Sequence, residues 1–315
     1  MRNFGDFSCF HRYYEGIDCG IPGGLCCDSD VDDDGADELR EVAEKLVAEA
    51  ADFVRARRTQ LVDMSGHADR SAVRTKSTAT DPVTLADTET ERLIRDRLAE
   101  LRPGEPILGE EGGGEPSDGD GLRWVVDPID GTVNFVYGIP AYAVSLGAQV
   151  NGVSVAGAVA DVVSGEVYSA AVGRGAHVLT AGGRRRLHCN EIEDLSMALV
   201  GTGFGYAPQR RAAQAAVVAR ILPEVRDVRR IGSAALDLCM VAAGRLDAYY
   251  EHGLSIWDWA AAALIAAEAG AVVVLPGGPD REAGPGAQLL IAAAPGVAAP
   301  LTAALDRLGA LGPLV

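Results

Sequence analysis

Leu122-Arg-Trp-Val-Val-Asp-Pro-Ile-Asp-Gly-Thr-Val-Asn-Phe135 begins as an apolar strand and ends in a tight acidic turn. The run Leu122 to Val126 is apolar and β-branched, the composition of a buried strand. Asp127 is expected to end it, because Pro128 has no N–H to give a continuing ladder. Gly131 frees the backbone for close approach, and Thr132 is expected to open a helical turn and cap it. Two carboxylates three residues apart at a strand end, facing a helix N-terminus, are costly to bury unless a cation joins them. The N-terminus in turn favours an anion. A cation and an anion at one strand end imply metal-assisted chemistry on a phosphate.

Two further segments extend this pattern. Pro106-Ile-Leu-Gly-Glu-Glu111 is another short apolar strand ending in acids, and Ile256-Trp-Asp-Trp-Ala260 opens an Ala-rich helix with Asp258 in its first turn. Glu110, Asp127, Asp130 and Asp258 all fall at element ends, where oxygen ligands for Mg²⁺ are presented. Any one of them alone reads as a solvated cap; as a set they read as a metal site. Two Mg²⁺ ions would neutralise the four carboxylates. That leaves room for a phosphate in a chain whose net charge of −17 otherwise repels anions.

These segments resemble the inositol monophosphatase family of Mg²⁺-dependent, lithium-sensitive sugar phosphatases, and in particular its bacterial inositol-1-phosphatase branch. The resemblance rests on Gly109-Glu-Glu111, Asp127-Pro-Ile-Asp-Gly-Thr-Val-Asn-Phe135 and Trp257-Asp-Trp-Ala-Ala261. It also rests on Lys76 with Asp81-Pro-Val-Thr-Leu-Ala-Asp87, and on Gly232-Ser-Ala-Ala235 followed by Asp247-Ala-Tyr-Tyr-Glu251. It implies a layered αβαβα sandwich with the metal site between two halves. It further implies two or three Mg²⁺ ions held by Glu110, Asp127, Asp130, Asp258 and the carbonyl of Ile129. Thr132 would partner the attacking water, Asp87 would accept the Thr132 hydroxyl proton, and Glu110 would share in activating that water. Asp130, Gly131, Thr132, Gly232, Ser233, Ala234, Glu251 and Asp258 would line the substrate, and Lys76 would add positive charge. One departure is Ala262, where the family often has glycine after the two alanines; activity is expected to persist.

The implied reaction is hydrolysis of myo-inositol 1-phosphate by metal-activated water, with no covalent enzyme intermediate. Histidinol phosphate, fructose 1,6-bisphosphate and an adenosine bisphosphate are the alternative substrates, and a non-catalytic regulatory protein on the same fold is the alternative class. A small phosphorylated polyol is thus the expected partner, with a homodimer as the expected assembly.

Composition bounds the rest. The hydrophobic share of 48% and charged share of 23% are those of a globular protein, and 315 residues suggest about two structural domains. No apolar run reaches the ~18 residues of a membrane span. No basic segment followed by an apolar stretch marks a secretory signal, so a cytoplasmic location is expected. The acidic balance argues against nucleic acid. The one basic cluster, Arg184-Arg-Arg186, reads as a solvated hairpin turn.

Residues 1–36 are expected to form a disordered acidic tail, since up to Glu38 ten acids face only Arg2 and Arg12. Cys9, Cys19, Cys26 and Cys27 lack the paired spacing of a zinc ribbon, and Cys189 and Cys239 read as reduced core residues. Asp30-Val-Asp-Asp-Asp-Gly35 with Glu41 matches EF-hand spacing, but an acidic linker into a helix explains it better.

Periodicity predicts helices over 38–57 and 84–101, the first with Leu39, Val42, Leu46, Ala50 and Phe53 inward and the second with Leu93, Ile94, Leu98 and Leu101 inward. Hairpin strands are predicted from Tyr142 to Val172, turning at Asn151-Gly152 and Ser164-Gly165. Residues 37–185 therefore read as an α+β half. Residues 186–315 read as an α/β half, with strands near 197–201, 228–231, 246–251, 271–275 and 288–293 alternating with helices. Gly201-Thr-Gly-Phe-Gly205 lacks the dinucleotide spacing and reads as a strand end near a pocket mouth.

Overall fold

The computed structural model describes residues 33–61, 73–75, 82–114, 121–276, 289–312 and 314. The four tail cysteines, Lys76 and Asp81 lie outside the described residues.

Helix α1 spans Asp33–Leu61 and buries Leu39, Ala43, Leu46, Val47, Ala50 and Val54 along one stripe. Val42 and Phe53, expected inward, are only half-buried at its flank. Because Asp33, Asp34, Gly35 and Glu41 lie within helical turns, they do not form the calcium loop that their spacing imitates. Strands β1 (Val73–Thr75) and β2 (Pro82–Thr84) pair antiparallel and lead into α2, Leu85–Leu101. Ile94 and Leu98 of α2 are buried as expected, whereas Leu101 sits at the surface.

The first sheet has seven strands in chain order: β3 (Ile107–Gly109), β4 (Leu122–Asp130), β5 (Ala143–Val150), β6 (Val153–Asp161), β7 (Val167–Ala171), β8 (Gly175–Thr180) and β9 (Gly183–Arg186). Every neighbouring pair is antiparallel except β3 with β4. Between β4 and β5 comes a short helix, α3, Thr132–Tyr137. Strand β4 does not end at Asp127. It continues to Asp130 across a register shift, with Asp127 opposite Ser145 and Asp130 opposite Ala143. Three steps on β4 thus face two on β5, a bulge that leaves Pro128 where no ladder hydrogen bond is needed. The three arginines lie on edge strand β9 rather than in a solvated turn, and Arg184 forks onto Glu44 of α1 at 2.6 and 2.8 Å.

The second sheet comprises β10 (Leu199–Thr202), β11 (Asp227–Arg229), β12 (Ala248–His252), β13 (Val272–Val274) and β14 (Leu289–Ala293), in the order β11-β10-β12-β14-β13. Strand β10 is parallel to β11 and β12, while β14 runs antiparallel to β12 and β13. Its helices are α4 (Pro208–Ile221), α5 (Ala234–Ala242), α6 (Ile256–Trp259), α7 (Ala262–Glu268) and α8 (Pro295–Arg307). The Ala-rich helix expected from Trp257 onward is therefore two pieces.

Three apolar clusters define the layers. Helices α1 and α2 cover one face of the first sheet. Helices α5 and α7 fill the space between Val159 and Tyr168 of that sheet and Tyr249, Leu290 and Ala292 of the second. Helix α8 and Val217 and Ile221 of α4 cover the outer face of the second sheet. The result is an αβαβα sandwich, as expected. Cys239 is buried in the middle layer, and Cys189 is half-buried; both are free.

The middle layer packs closely. A Cβ added at Gly157 would come within 2.8 Å of the Ala261 Cβ and 2.9 Å of its Cα. The tight contact therefore falls on Ala261, while Ala262 is fully buried without it. Gly157→Ala is expected to destabilise the fold by about 1–3 kcal/mol through overpacking, read as a lowered melting temperature. An unchanged melt would show that α7 can withdraw from the sheet.

Candidate active site

Parallel pairing of β3 with β4 places Glu110, whose N–H donates to the Val126 carbonyl at 3.2 Å, beside Asp127. The bulge after Asp127 turns the chain back on itself. The Ile129 N–H donates to Asp127 Oδ1 at 3.1 Å, and the Ile129 carbonyl lies 3.0 Å from the Thr132 hydroxyl. That hydroxyl donates to Asp87 Oδ1 at 3.0 Å, and both side chains are buried. Thr132 is the first residue of α3 and not its cap: Gly131 takes the cap position at φ 94° and makes no side-chain bond. A Cβ at Gly131 would lie 3.0 Å from the Ala141 carbonyl and 3.1 Å from that of Gly232, so the turn needs glycine.

Asp130 reaches across to the start of α5. Its Oδ2 accepts from the Ser233 hydroxyl and from the Ala235 N–H, both at 2.6 Å. Ser233 also accepts from the Leu236 N–H, so it caps α5 and holds the acid at once. Asp258 is fixed by a capping box in which its Oδ2 accepts from the Ser255 N–H at 2.6 Å. Asp127, Asp130 and Asp258 thereby offer oxygens that all lie within 4.8 Å of one another.

Burial and mutual repulsion show in their acidities. Burial raises Asp127 well above the ordinary carboxylate range, with Glu110, Asp130 and Asp258 adding to it. Burial likewise raises Asp258, helped by Asp130 and Glu110. Asp130 is pushed up to about 6 by burial, although its bonds from Ser233 and Ala235 pull the other way. Crowded, desolvated, all-oxygen donors without a matching cation fit a hard divalent ion and suit few other ligands.

The carboxylates line a cavity of about 500 Å³. Gly232, Ser233, Ala234 and Glu251 line it too, together with the loop from Gly203 to Ala207. Glu251 lies inside β12, and its Oε2 accepts from the buried Tyr249 hydroxyl at 2.5 Å. Burial pushes Glu251 up to about 7. A larger cavity of about 790 Å³ lies at the opposite ends of β10 and β11, around Asn190, Met197 and Arg226. Its three acids, Glu191, Asp227 and Asp247, are matched in number by Arg226, Arg229 and Arg245, with Arg229 on Asp227 and Arg245 on Glu166 beside it. The smaller cavity is thus the one with unbalanced charge.

Residues 36–308 match the sequence profile of the inositol monophosphatase family. The chain belongs to that family. It is 64% identical to the inositol-1-monophosphatase of Mycobacterium leprae over 293 residues, which cover 90% of this chain and 99% of the relative. The solved structure titled Mycobacterium tuberculosis SuhB superposes with a TM-score of 0.74 at 58% identity, covering 88% of this chain and 98% of that one. A Pasteurella multocida protein named Nus factor SuhB is 37% identical over 220 residues, or 69% of this chain and 81% of the relative. The chain is therefore a phosphatase. Among the described residues, no helix is long and apolar enough to cross a membrane.

Three groups in or behind the phosphatase's cavity had no role assigned from sequence. Arg210 and Arg230 line it as the basic counterpart of the acids. Gly203 faces Glu251 so closely that a Cβ would meet Oε2 at 1.8 Å. The glycine-rich stretch after β10 was its only sequence signal. Asn134 is buried and donates to the Ala141 and Ile231 carbonyls at 2.7 and 3.0 Å, tying the Gly232 turn to α3.

Proposed function

We propose that this phosphatase hydrolyses myo-inositol 1-phosphate with Mg²⁺ held by Glu110, Asp127, Asp130, Asp258 and the Ile129 carbonyl. When bound, the metal supplies Lewis acidity toward water and toward the departing alkoxide. The chain's own residues do the rest. Because Thr132 donates to Asp87, its oxygen is left to accept a proton from a water placed between it and Glu110. Backbone N–H groups of Gly131 and Thr132 are assigned to the phosphate oxygens. Glu251, pushed up to about 7 by burial, and the turn Gly232-Ser233-Ala234 are assigned to the polyol hydroxyls.

The observation that carries this reading is the meeting of Asp127, Asp130 and Asp258 within 4.8 Å. Its test is phosphate release from inositol 1-phosphate, histidinol phosphate and fructose 1,6-bisphosphate, with Mg²⁺, EDTA and Li⁺ arms. Turnover that needs Mg²⁺, falls with Li⁺ and is fastest on inositol 1-phosphate is expected. Preference for another ester would keep the site and replace the substrate. The name of the Pasteurella relative supplies a second reading, a regulatory protein on this fold; no turnover on any ester would favour it. A homodimer is the proposed assembly, and light scattering should return the mass of two chains.

A further inference from the structure

Helix α2 carries a second buried acid one turn beyond Asp87. Asp87 and Glu91 are four residues apart and so share a face of the helix; both are buried, at 0% and 2% exposure. Asp87 meets Thr132, while Glu91 meets the turn that follows β3. Its Oε2 accepts from the Glu111 N–H at 2.7 Å, and its Oε1 accepts from the Gly112 N–H at 2.8 Å. Arg95 donates to Oε1 at 2.7 Å and reaches on to the Gly113 carbonyl at 2.6 Å. The turn closes around this carboxylate through the bond from the Gly109 N–H to the Gly113 carbonyl at 3.0 Å. There is no room to spare: a Cβ at Gly109 would lie 2.4 Å from the Glu91 carboxyl carbon, and one at Gly112 would lie 2.6 Å from Oε1.

Glu110 is the first residue inside that turn. Its own N–H is taken by the Val126 carbonyl, and the next two N–H groups are taken by Glu91. We propose that Glu91 is the positioning residue for Glu110: its carboxylate orders the Glu110–Gly112 backbone and so presets the Glu110 carboxylate toward the metal position. Helix α2 then aligns both sides of the reacting water, Asp87 through Thr132 and Glu91 through Glu110. The inference rests on the metal role of Glu110 proposed above. Charged acceptors of two backbone N–H groups hold a turn more firmly than neutral ones, and groups that orient a metal ligand typically govern affinity by about 10- to 100-fold.

The test is Glu91→Gln in the full chain. The amide keeps one acceptor oxygen and turns an NH₂ toward an N–H donor, so one bond to the turn is lost. Calorimetric titration with Mn²⁺ alone should show affinity weakened by about 10- to 100-fold. The Mg²⁺ concentration for half-maximal activity should rise by the same factor, with kcat at saturating metal recovering to within about threefold. Hydrogen exchange at the Glu111 and Gly112 amides should quicken. Gly112→Ala keeps the charge but displaces the carboxylate, and it should weaken Mn²⁺ in the same direction; it carries the test if Glu91→Gln fails to fold. Unchanged Mn²⁺ affinity in whichever variant folds, with only a lowered melting temperature, would overturn the inference and leave Glu91 a purely structural acid. A wild-type chain that takes up no Mn²⁺ would instead overturn the metal reading itself.

Discussion

Asp130→Asn is expected to lower turnover by about three orders of magnitude while leaving the chain folded. The carboxylate is one of three that converge within 4.8 Å, and stabilising charge in a transition state through a metal is worth several kcal/mol. At 1.36 kcal/mol per decade, that is about a thousandfold in rate. The fold survives because Asp130's structural bonds need only an acceptor. An asparagine oxygen can replace Oδ2 in taking the Ser233 hydroxyl and the Ala235 N–H. The new NH₂ then faces Asp127 and Asp258 and relieves part of their repulsion. In EDTA the variant should therefore melt above the wild type, even though it is nearly inactive. Steady-state phosphate release and a thermal melt check the pair. Full activity would remove Asp130 from the site, and a lower melt would mean that its charge is structural.

The carboxylate set was legible because its members obey local rules. Asp258 follows a serine cap, Glu110 ends an apolar run, and Asp127 and Asp130 bracket a proline-containing bulge. Each could be placed at an element end without knowing the fold. Their convergence rested on resemblance, since nothing local brings residue 258 to residue 127. The missed features depend on distant partners. Gly203 matters only because Glu251 lies across from it, and Glu91 reads from sequence as one more polar residue of an amphipathic helix. The extension of β4 beyond Asp127 was missed for a related reason. Proline ends a regular strand but sits comfortably in a bulge, and a bulge is specified by the partner strand. The mixed direction of the second sheet likewise escaped alternation, which gives the order of elements and not the sense of β14. Leu101 and Phe53 fit the helical period but fall at the edges of their stripes, where packing rather than spacing sets burial.

Without a divalent ion, the melting temperature is expected to fall as pH rises from about 5 to about 8, and Mg²⁺ is expected to remove the part of that fall that its own carboxylate ligands contribute. Asp130 is raised to about 6 and Glu251 to about 7, while Asp127 and Asp258 are raised further by burial and by one another. An acid raised in the folded state favours folding fully below its unfolded value. That contribution disappears as pH climbs through the folded value, because the unfolded chain has already released its proton and the folded chain must hold a costly charge. For Asp130 the loss runs from about pH 4 to 6, and for Glu251 from about 4.5 to 7. Together they are worth several kcal/mol at about 1.36 kcal/mol per unit. His177 and His252, lowered by burial, act in the opposite sense below about pH 6.5. Glu44 and Glu166, lowered by their arginine partners, matter only in more acid solution. None of these four belongs to the carboxylate cluster, and neither do Glu251 or Asp237, which burial also raises, so the difference between melts in Mg²⁺ and in EDTA isolates the cluster. A cation that binds the ionised cluster competes with protons, and at a hundred times its dissociation constant it adds about 2.7 kcal/mol per site. The gap between the two melting curves should therefore widen steadily with pH. Curves that coincide at pH 8 would mean that the cluster tolerates its own charge, and the site would lose its physical reason for holding a metal.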